Sequence, residues 1–314
     1  MGVGMKLSMR KYQSEDDFWR IRNFLRDVFI QNDRRMLCWP VARWDYWRWH
    51  GIMNIGDGTL ETGVYLWETP NGEIAAVLNR EGAGQAFLQV HPAFKSAALE
   101  EQMISQAEEY LKTTSRRGDL VLWVWLVSGD SLRQEILERR GYTHREDADE
   151  HQWRRDLEEA IPESPAREGY LIRSLGDVSE LPLRSWASWR AFHPDEPDEN
   201  YEGWDWFVNI QSAPLYRRDL DIIAATPDGQ IASFCTIYYD DATRSAVTPL
   251  VGTAASHQRR GLCKAVLCEG MRRLQKMGCT RIFSKATDPA AEALYGSVMN
   301  VKYTSETWIK DYKR

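Results

Sequence analysis

The segment LVGTAASHQRRGLCKAV, residues 250–266, carries most of the information about how this chain folds. Its β-branched and aliphatic start predicts a strand, and its end predicts the first turns of a helix. A short basic loop containing Gly261 joins the two. Such a junction presents unpaired backbone N–H groups at the helix N-terminus, where the helix dipole adds about half a positive charge. The segment therefore predicts a binding site for a phosphate or pyrophosphate.

The side chains of this loop and helix fit that interpretation. Arg259 and Arg260 add full positive charges, and Gly261 allows a bound anion to approach the backbone closely. The spaced glycines of the P-loop and of the dinucleotide-binding fingerprint are absent. An exposed basic turn without a ligand is the alternative. The helix is expected to bury one face, formed by Leu262, Val266, Leu267, Met271 and Leu274.

Two motifs in this region resemble a known family. The residues QRRGLC, 258–263, resemble the Gln/Arg-x-x-Gly-x-Gly/Ala signature of the GNAT-type N-acyltransferases, with Cys263 at the last small position. The residues DPAAEALY, 288–295, have the spacing of the family's second motif, with Asp288 in place of Asn. Asp288 is also a favourable helix N-cap, and Pro289 suits the first helical position.

The resemblance implies an enzyme in which an amine attacks the thioester of acyl-CoA directly, with acetyl-CoA as the default donor and no metal. It implies that Tyr295 protonates the leaving sulfur and that a backbone N–H near Val251 stabilises the oxyanion. A packed core tyrosine is the alternative for Tyr295. The implied cofactor contacts are Leu250, Val251, Thr253, Gln258, Arg259, Arg260, Gly261, Leu262, Cys263, Lys264 and Asp288.

The general base is not evident from the sequence. Some relatives carry a Glu on the central strand, where this chain has Thr and Pro at residues 248–249. A water relay is one possibility at this stage. The side chains that could act as a base or serve a relay are Asp240, Asp241, His257 and His193.

The chain also repeats itself. TPNGEIA, residues 69–75, recurs as TPDGQIA, residues 226–232, and each heptad predicts a hairpin turn that begins a strand. WDYW, residues 44–47, is echoed by WDWF, residues 204–207. Each half predicts a strand, a helix, an aromatic-rich connection, a meander of strands, a long helix, a strand, a helix and a closing strand.

We therefore predict an α/β (α+β) protein of two tandem GNAT-like domains, residues 1–160 and 168–314. Each domain is expected to be a mixed, mostly antiparallel twisted sheet flanked by helices. The Pro-rich and charged segment 158–168 is the expected boundary. A single domain with coincidental matches is the alternative.

The first half is expected to be a degenerate, non-catalytic copy. Ala98 stands where the loop glycine is required, and Glu100 occupies the second small position, where a carboxylate would repel pyrophosphate. Lys95 is the one basic residue of this loop, and Leu137 takes the place of Tyr295. An atypical pocket for another ligand is the alternative.

The resemblance also implies that the connection at residues 192–206, which follows the first helix of the second half, lies beside the acceptor. It carries six carboxylates, which would attract a cationic amine, although a solvated acidic loop explains them equally. Its counterpart, residues 38–49, is aromatic and basic, so it packs in the core or lines a pocket. The expected substrate is the primary amine of a small molecule.

Composition narrows the remaining classes of function. The 314 residues carry a net charge of −6, which disfavours nucleic-acid and membrane partners. The longest apolar run, residues 120–127, is too short for a membrane helix. Five scattered cysteines suit a reducing cytoplasm. We expect a monomer whose tandem domains imitate a dimer, or a weak homodimer. A non-catalytic CoA-binding sensor or scaffold, and a pseudoenzyme that binds no CoA, are the competing functions.

Overall fold

The computed structural model describes residues 6–165 and 167–312, which form two compact units. Within these ranges, the first unit contains residues 6–150 and 303–312, and the second contains the described residues from 151 to 302. The units differ from the expected domains, 1–160 and 168–314, in the placement of two strands. The physical reason is that cross-strand hydrogen bonds, rather than position in the sequence, decide which sheet a strand completes.

The elements of the first half follow the predicted order, with a π-helix added in the aromatic connection. They are β1 (Ser8–Lys11), α1 (Glu15–Gln31), α2 (Val41–Tyr46), the π-helix (Trp47–Ile55), α3 (Leu60–Gly63), β2 (Val64–Glu68), β3 (Ile74–Asn79), β4 (Gln85–Val90), α4 (Ala97–Tyr110), β5 (Thr113–Thr114), β6 (Leu120–Val127), α5 (Ser131–Arg139), β7 (Thr143–His144) and β8 (Glu150–Asp156).

The second half repeats the order with longer central strands. Its elements are β9 (Leu171–Ser174), α6 (Leu181–Phe192), α7 (Asp205–Gln211), β10 (Tyr216–Ala225), β11 (Ile231–Asp240), β12 (Ser245–Thr253), α8 (Leu262–Lys276), β13 (Arg281–Ala286), α9 (Pro289–Gly296) and β14 (Val301–Tyr312).

Each unit contains one sheet of the same design. The first unit has the strand order β1-β2-β3-β4-β6-β14, and the second has β9-β10-β11-β12-β13-β8. In the first sheet β4 and β6 run parallel, and in the second β12 and β13 do. The other neighbours along both paths are antiparallel. The predicted fold class, a mixed and mostly antiparallel sheet flanked by helices, is confirmed.

The repeated heptads form the hairpins that the sequence predicts. They join β2 to β3 and β10 to β11, and both pairs are antiparallel. Gly72 and Gly229 have φ values of 81° and 86° in these turns, a conformation that glycine adopts without a steric penalty. The equivalent turns give the two sheets a common register.

The core of the second unit contains the predicted face of α8. Val266, Met271 and Leu274 are fully buried there against Ile237 and other residues of the sheet. The helix ends at Lys276, and Gly278 follows with a φ of 81°. The apolar periodicity and the terminal glycine therefore predicted this element correctly.

Three further observations concern membrane helices, disulfides and metal ligands. Across the described residues, no helix combines the length and the apolar character that crossing a bilayer requires. All five cysteines are free thiols. Within the same residues, no three His, Cys, Asp or Glu side chains come together as possible metal ligands.

We predict that the last strand stabilises the first unit. Trp308 in β14 is 5% exposed and belongs to the same core as Leu122 and Leu126 of β6. Trp308→Ala should lower the free energy of unfolding of this unit by about 3–5 kcal/mol. In hydrogen-exchange mass spectrometry, β6 should lose protection while β10 and β11 keep theirs.

Trp153→Ala in β8 is the matched control. The Trp153 ring packs against the core of the second unit, and its Nε1 donates to Glu292 over 2.9 Å. This variant should expose β13 and leave β6 protected. The opposite pattern in the two variants would contradict the assignment of the strands to their sheets.

Candidate functional site

The second sheet opens between its two parallel strands. β12 and β13 pair only where Ser245–Val247 lie opposite Arg281–Phe283. Beyond this point β12 continues beside β11, and β13 continues beside β8. The register of β12 against β11 shifts just there, and Pro249 has no N–H to donate to a neighbouring strand. Among the described residues, one edge of β12, from residue 248 to 253, therefore has no strand beside it.

The amides on this open edge can be identified from the strand geometry. The Ala254 N–H donates to the Ala232 carbonyl of β11 over 2.9 Å. Backbone groups alternate between the two edges of an antiparallel strand, so the Gly252 amide also faces β11. The amides of Val251 and Thr253 consequently face the opening. Both are predicted contacts of the pantetheine arm.

Leu250 differs from the other predicted strand contacts. By the same alternation its amide faces β11, where it lies opposite Thr236. Its side chain is also buried. Leu250 therefore offers neither a backbone donor nor a side chain to the open edge.

The predicted phosphate loop has the backbone of an anion site. Arg259 and Gly261 have φ values of 59° and 75°, and Arg260 between them has a negative φ. Alternation of this kind turns successive N–H groups toward one concavity. No side chain caps the start of α8, and the space that a Gly261 Cβ would occupy is open to 4 Å. The first amides of α8 thus remain available to a bound group.

The side chains of the loop fall into two groups. Gln258, Arg259, Arg260 and Gly261 are exposed, whereas Leu262 is buried in the core. Leu262 can therefore contribute only its backbone to a bound anion.

Contacts with neighbouring residues hold the exposed loop in place. Arg260 Nη1 donates to the Tyr170 hydroxyl over 2.8 Å, and Gln258 Nε2 donates to the Thr253 carbonyl over 3.4 Å. Lys264, in the first turn of α8, is half-buried. Burial raises the pKa of Cys263 to about 11, so this thiol stays protonated at neutral pH.

Tyr295 lies where β12 and β13 separate. Its side chain is 5% exposed and lies near the hydroxyls of Thr248 and Ser284. The hydroxyls of Thr248 and Ser284 are themselves 2.6 Å apart across the opening. Burial raises the pKa of Tyr295 well above its ordinary value, and the two hydroxyls partly oppose this shift. The phenol is therefore a proton donor at neutral pH.

Asp288 positions the helix that carries Tyr295. Its Oδ1 accepts hydrogen bonds from the amides of Ala290 and Ala291, at 2.8 and 2.9 Å, and Pro289 begins α9. The carboxylate acts as the N-cap that its sequence position predicts. Asp288 therefore contacts α9 through these two capping hydrogen bonds.

Three of the residues considered as general base are engaged in other contacts, and the fourth is exposed in a turn. Asp240 is buried and accepts from Thr243 in the turn after β11, and Asp241 is exposed in the same turn. His257 Nδ1 lies 2.9 Å from the Tyr170 hydroxyl, and burial together with Arg260 lowers its pKa. Nδ1 of His193 lies 2.8 Å from a carboxylate oxygen of Glu196, in the acidic connection at residues 192–206.

Sequence analysis missed a buried ion pair beneath α6. Arg184 donates to Asp221 over 3.2 Å, and neither side chain is exposed. Thr236 donates to the same carboxylate over 3.1 Å. The available signal was an arginine at a position where the periodicity of α6 requires a buried residue. Periodicity alone could not identify its partner, which lies 37 residues further along the chain.

The first unit has the same opening but a different interior. β4 and β6 also pair over only three residues, from Gln85 to Phe87. Ser96 caps the start of α4 by accepting from the Leu99 amide. Glu100 is fully buried and forms two bonds with Arg133, at 2.8 and 2.9 Å.

This geometry corrects the role expected of Glu100. Its carboxylate is not presented to an anion at the helix start, because Arg133 neutralises it inside the core. Lys95 binds Asp130 over 2.7 Å, and Leu137 is fully buried without a hydroxyl to offer. Side chains of the chain itself therefore occupy the region around the start of α4.

Comparison with known proteins shows a family likeness in the second half. Residues 181–299 match the model of the acetyltransferase (GNAT) family. The second half of this chain is therefore similar to the GNAT family, whose fold supports the transfer of acyl groups from acyl-CoA. No protein with curated annotation matches the chain.

Solved structures extend the likeness to the whole chain. A GCN5-related N-acetyltransferase from Sphaerobacter thermophilus is similar, with a TM-score of 0.62 and 17% identity over 97% of this chain and 95% of its own. A tandem GNAT protein from the clavulanic acid biosynthesis pathway has a TM-score of 0.61 and 14% identity over 98% and 99%. A GNAT-family acetyltransferase from Colwellia psychrerythraea has a TM-score of 0.60 and 12% identity over 96% and 100%. The predicted tandem architecture is confirmed, and identities this low establish the fold alone.

Proposed function

We propose that the second unit transfers the acyl group of acyl-CoA, with acetyl-CoA as the default donor, to the primary amine of a small acceptor. The observation that carries this proposal is the arrangement along β12. Its open edge begins beside Tyr295, presents the amides of Val251 and Thr253, and leads into the uncapped start of α8 at Gly261. The Tyr295 hydroxyl and the Val251 amide suit the sulfur and the carbonyl of the thioester, and the start of α8 suits the pyrophosphate at the far end of the pantetheine arm.

The residues present fit acyl-CoA, which supplies a thioester carbon that an amine can attack. The concave backbone at residues 259–263, with the charges of Arg259 and Arg260, would hold the pyrophosphate. The Val251 amide would donate to the developing oxyanion. As the C–S bond breaks, the Tyr295 hydroxyl would donate its proton to the sulfur. The buried phenol, protonated at neutral pH, suits this last role.

The attacking amine must lose its proton, and the opening suggests how. The hydroxyls of Thr248 and Ser284 face Tyr295 there. Asp240, His257 and His193 have partners in turns and loops, and Asp241 is exposed in a turn. We propose that the amine reacts from its small neutral fraction and releases its proton to water. The acidic connection at residues 192–206 would raise the local concentration of the cationic form.

We further propose that the first unit is not catalytic. The buried pair of Glu100 and Arg133 fills the region around the start of α4, and Ser96 already caps that helix. Leu137 provides no proton donor. A site that lacks both an open helix start and an acid is not expected to use acyl-CoA.

The first prediction concerns binding of the donor. CoA at about 100 times its dissociation constant should stabilise the protein by about 2.7 kcal/mol, which thermal denaturation detects. Gly261→Glu should abolish this shift, because it places a carboxylate at the helix start. Gly72→Glu is the matched control, since it has a similar φ and open surroundings in the first unit. A parent protein that CoA does not stabilise would remove the donor from the proposal.

The second prediction concerns the proton donor. Tyr295→Phe should lower kcat for release of free CoA thiol from acetyl-CoA and an amine by roughly 10²-fold or more. Its thermal shift with CoA should persist, because the ring is retained. Equal rates in the two proteins would remove Tyr295 from catalysis. A thermal shift without thiol release from any amine would instead indicate a CoA-binding sensor.

The third prediction concerns pH. With a free amine of pKa about 10.4, kcat/KM should rise tenfold per pH unit from pH about 6 toward pH about 10. No fall is expected over this range, because the pKa of Tyr295 is raised above its ordinary value and the phenol stays protonated throughout. A plateau that begins near pH about 6 or 7 would reveal a histidine acting as base.

A further inference from the structure

Arg184 is buried in the second unit with part of its hydrogen-bonding capacity unused. Its Nε donates to Asp221 over 3.2 Å, and its Nη2 donates to Thr236 over 2.8 Å. The guanidinium lies 3.7 Å from the centre of the Phe234 ring and 4.8 Å from that of Phe207. It is thus held in one orientation by two polar contacts and two rings.

Two polar atoms on this face of α6 lack a partner. Arg184 Nη1 and Ser188 Oγ form no hydrogen bond within residues 6–165 and 167–312, although both are buried. Residues four apart on a helix are neighbours on its surface. An unsatisfied buried donor costs about 1–3 kcal/mol, so such atoms require an explanation. A bound molecule that supplies an acceptor oxygen would satisfy both.

The fold itself does not require this ion pair, because the first unit is built without it. The shared hairpin register places Val64 opposite Asn79 in one sheet and Asp221 opposite Thr236 in the other.

The helices that cover the two sheets, α1 and α6, can be aligned by their patterns of buried positions. Buried positions 18, 21, 22 and 25 of α1 match 181, 184, 185 and 188 of α6. Ile21 therefore occupies the place of Arg184, and Val64 that of Asp221. Because apolar side chains fill this position in the first unit, stabilisation of the fold is a weak explanation for a buried ion pair there.

The pair lies beside the proposed reaction centre. Thr236 stands opposite Leu250 on β12, and Leu250 is followed by Val251. The helix lies close to this strand, because a Cβ on Gly252 would be 3.0 Å from that of Ala191. Successive side chains of a strand point to opposite faces, and Cys235 shares its core with Tyr295. Arg184 and Ser188 therefore face the reacting strand from the side opposite Tyr295.

The charges around Arg184 limit the kind of ligand that can bind beside it. Asp221 already balances the charge of Arg184, so a carboxylate would be buried as an uncompensated anion. The acidic connection at residues 192–206 would also repel an anion. One guanidinium donor and one hydroxyl suit a single uncharged oxygen instead.

We propose that Arg184 and Ser188 bind an uncharged oxygen of the acceptor, either a hydroxyl or an amide carbonyl. The substrate class is then an amine that carries such an oxygen, in preference to an alkylamine or an amino acid. This inference rests on the proposed acyl transfer and names its acceptor. A site built to hydrogen-bond an oxygen discriminates strongly against analogues that lack it.

A panel of four small amines tests the inference. Ethanolamine carries the hydroxyl, glycinamide the carbonyl, propylamine neither, and glycine a carboxylate. We expect kcat/KM with acetyl-CoA to be roughly 10- to 100-fold higher for one or both of the first two than for propylamine or glycine. Calorimetric titration of each amine into the CoA-bound protein gives the same ranking without requiring turnover.

Two matched serine variants separate binding from folding. Ser188→Ala removes a hydroxyl without a partner, so it should reduce the preference about tenfold and leave the melting temperature unchanged. Ser185→Ala removes a hydroxyl that bonds Tyr201, Trp206 and the Gly203 carbonyl. It should lower the melting temperature and keep the preference. Equal preferences in the parent and Ser188→Ala would overturn the role of this hydroxyl.

A double variant tests the ion pair without leaving an unpaired buried charge. Arg184→Ile with Asp221→Val copies the side chains of Ile21 and Val64 in the first unit. It should fold, keep its thermal shift with CoA, and bind the four amines with equal affinity. A preserved preference, or loss of the CoA shift, would overturn the inference.

The outcomes separate the inference from the function on which it rests. Thiol release without preference among the amines would overturn the inference alone. Selective amine binding without thiol release would overturn catalysis and leave the acceptor site standing. Absence of both would overturn the two together.

Discussion

The separation of two parallel strands is the constraint on which the site depends. β12 and β13 pair over only three residues, and the register of β12 against β11 shifts at Thr248 and Pro249, just beyond those pairs. One edge of β12 is left with amides that no strand can satisfy. This edge lies between the Tyr295 hydroxyl at one end and the uncapped start of α8 at the other. One extended ligand along the edge could therefore contact both.

The duplicated fold shows how one scaffold supports two interiors. Both sheets open after three parallel pairs, so the opening belongs to the architecture. In the first unit, Arg133 and Glu100 form a buried pair near the start of α4. In the second, the corresponding helix start is free, and Arg184 pairs with Asp221 beneath α6, where it retains a donor without a partner among the described residues. The first unit buries a further pair, Arg22 with Asp45, at the corresponding helix α1. The partners of the buried charges therefore differ between units of the same fold.

Local signals in the sequence were sufficient for much of this description. The Pro-Asx-Gly turns identified both hairpins, the apolar periodicity identified α8, and Asp288 with Pro289 identified the start of α9. Each depends on residues within one turn or a few turns of helix, so spacing along the chain is enough to recognise it. The resemblance to the GNAT family rests on two such local motifs. Leu250 and Leu262 show the limit, because spacing does not indicate which atoms of a motif face the ligand.

The sequence by itself determined the fold class, the duplication and the position of the loop predicted to bind phosphate, because turns, caps and periodicity are short-range properties. Only the tertiary structure decided that β14 completes the first sheet and β8 the second, because long-range backbone pairing chooses between equivalent edges. It also decided that Glu100 is neutralised by Arg133 and that Arg184 meets Asp221. The energies of such pairs depend on burial and distance between segments far apart in the chain, which no local pattern records.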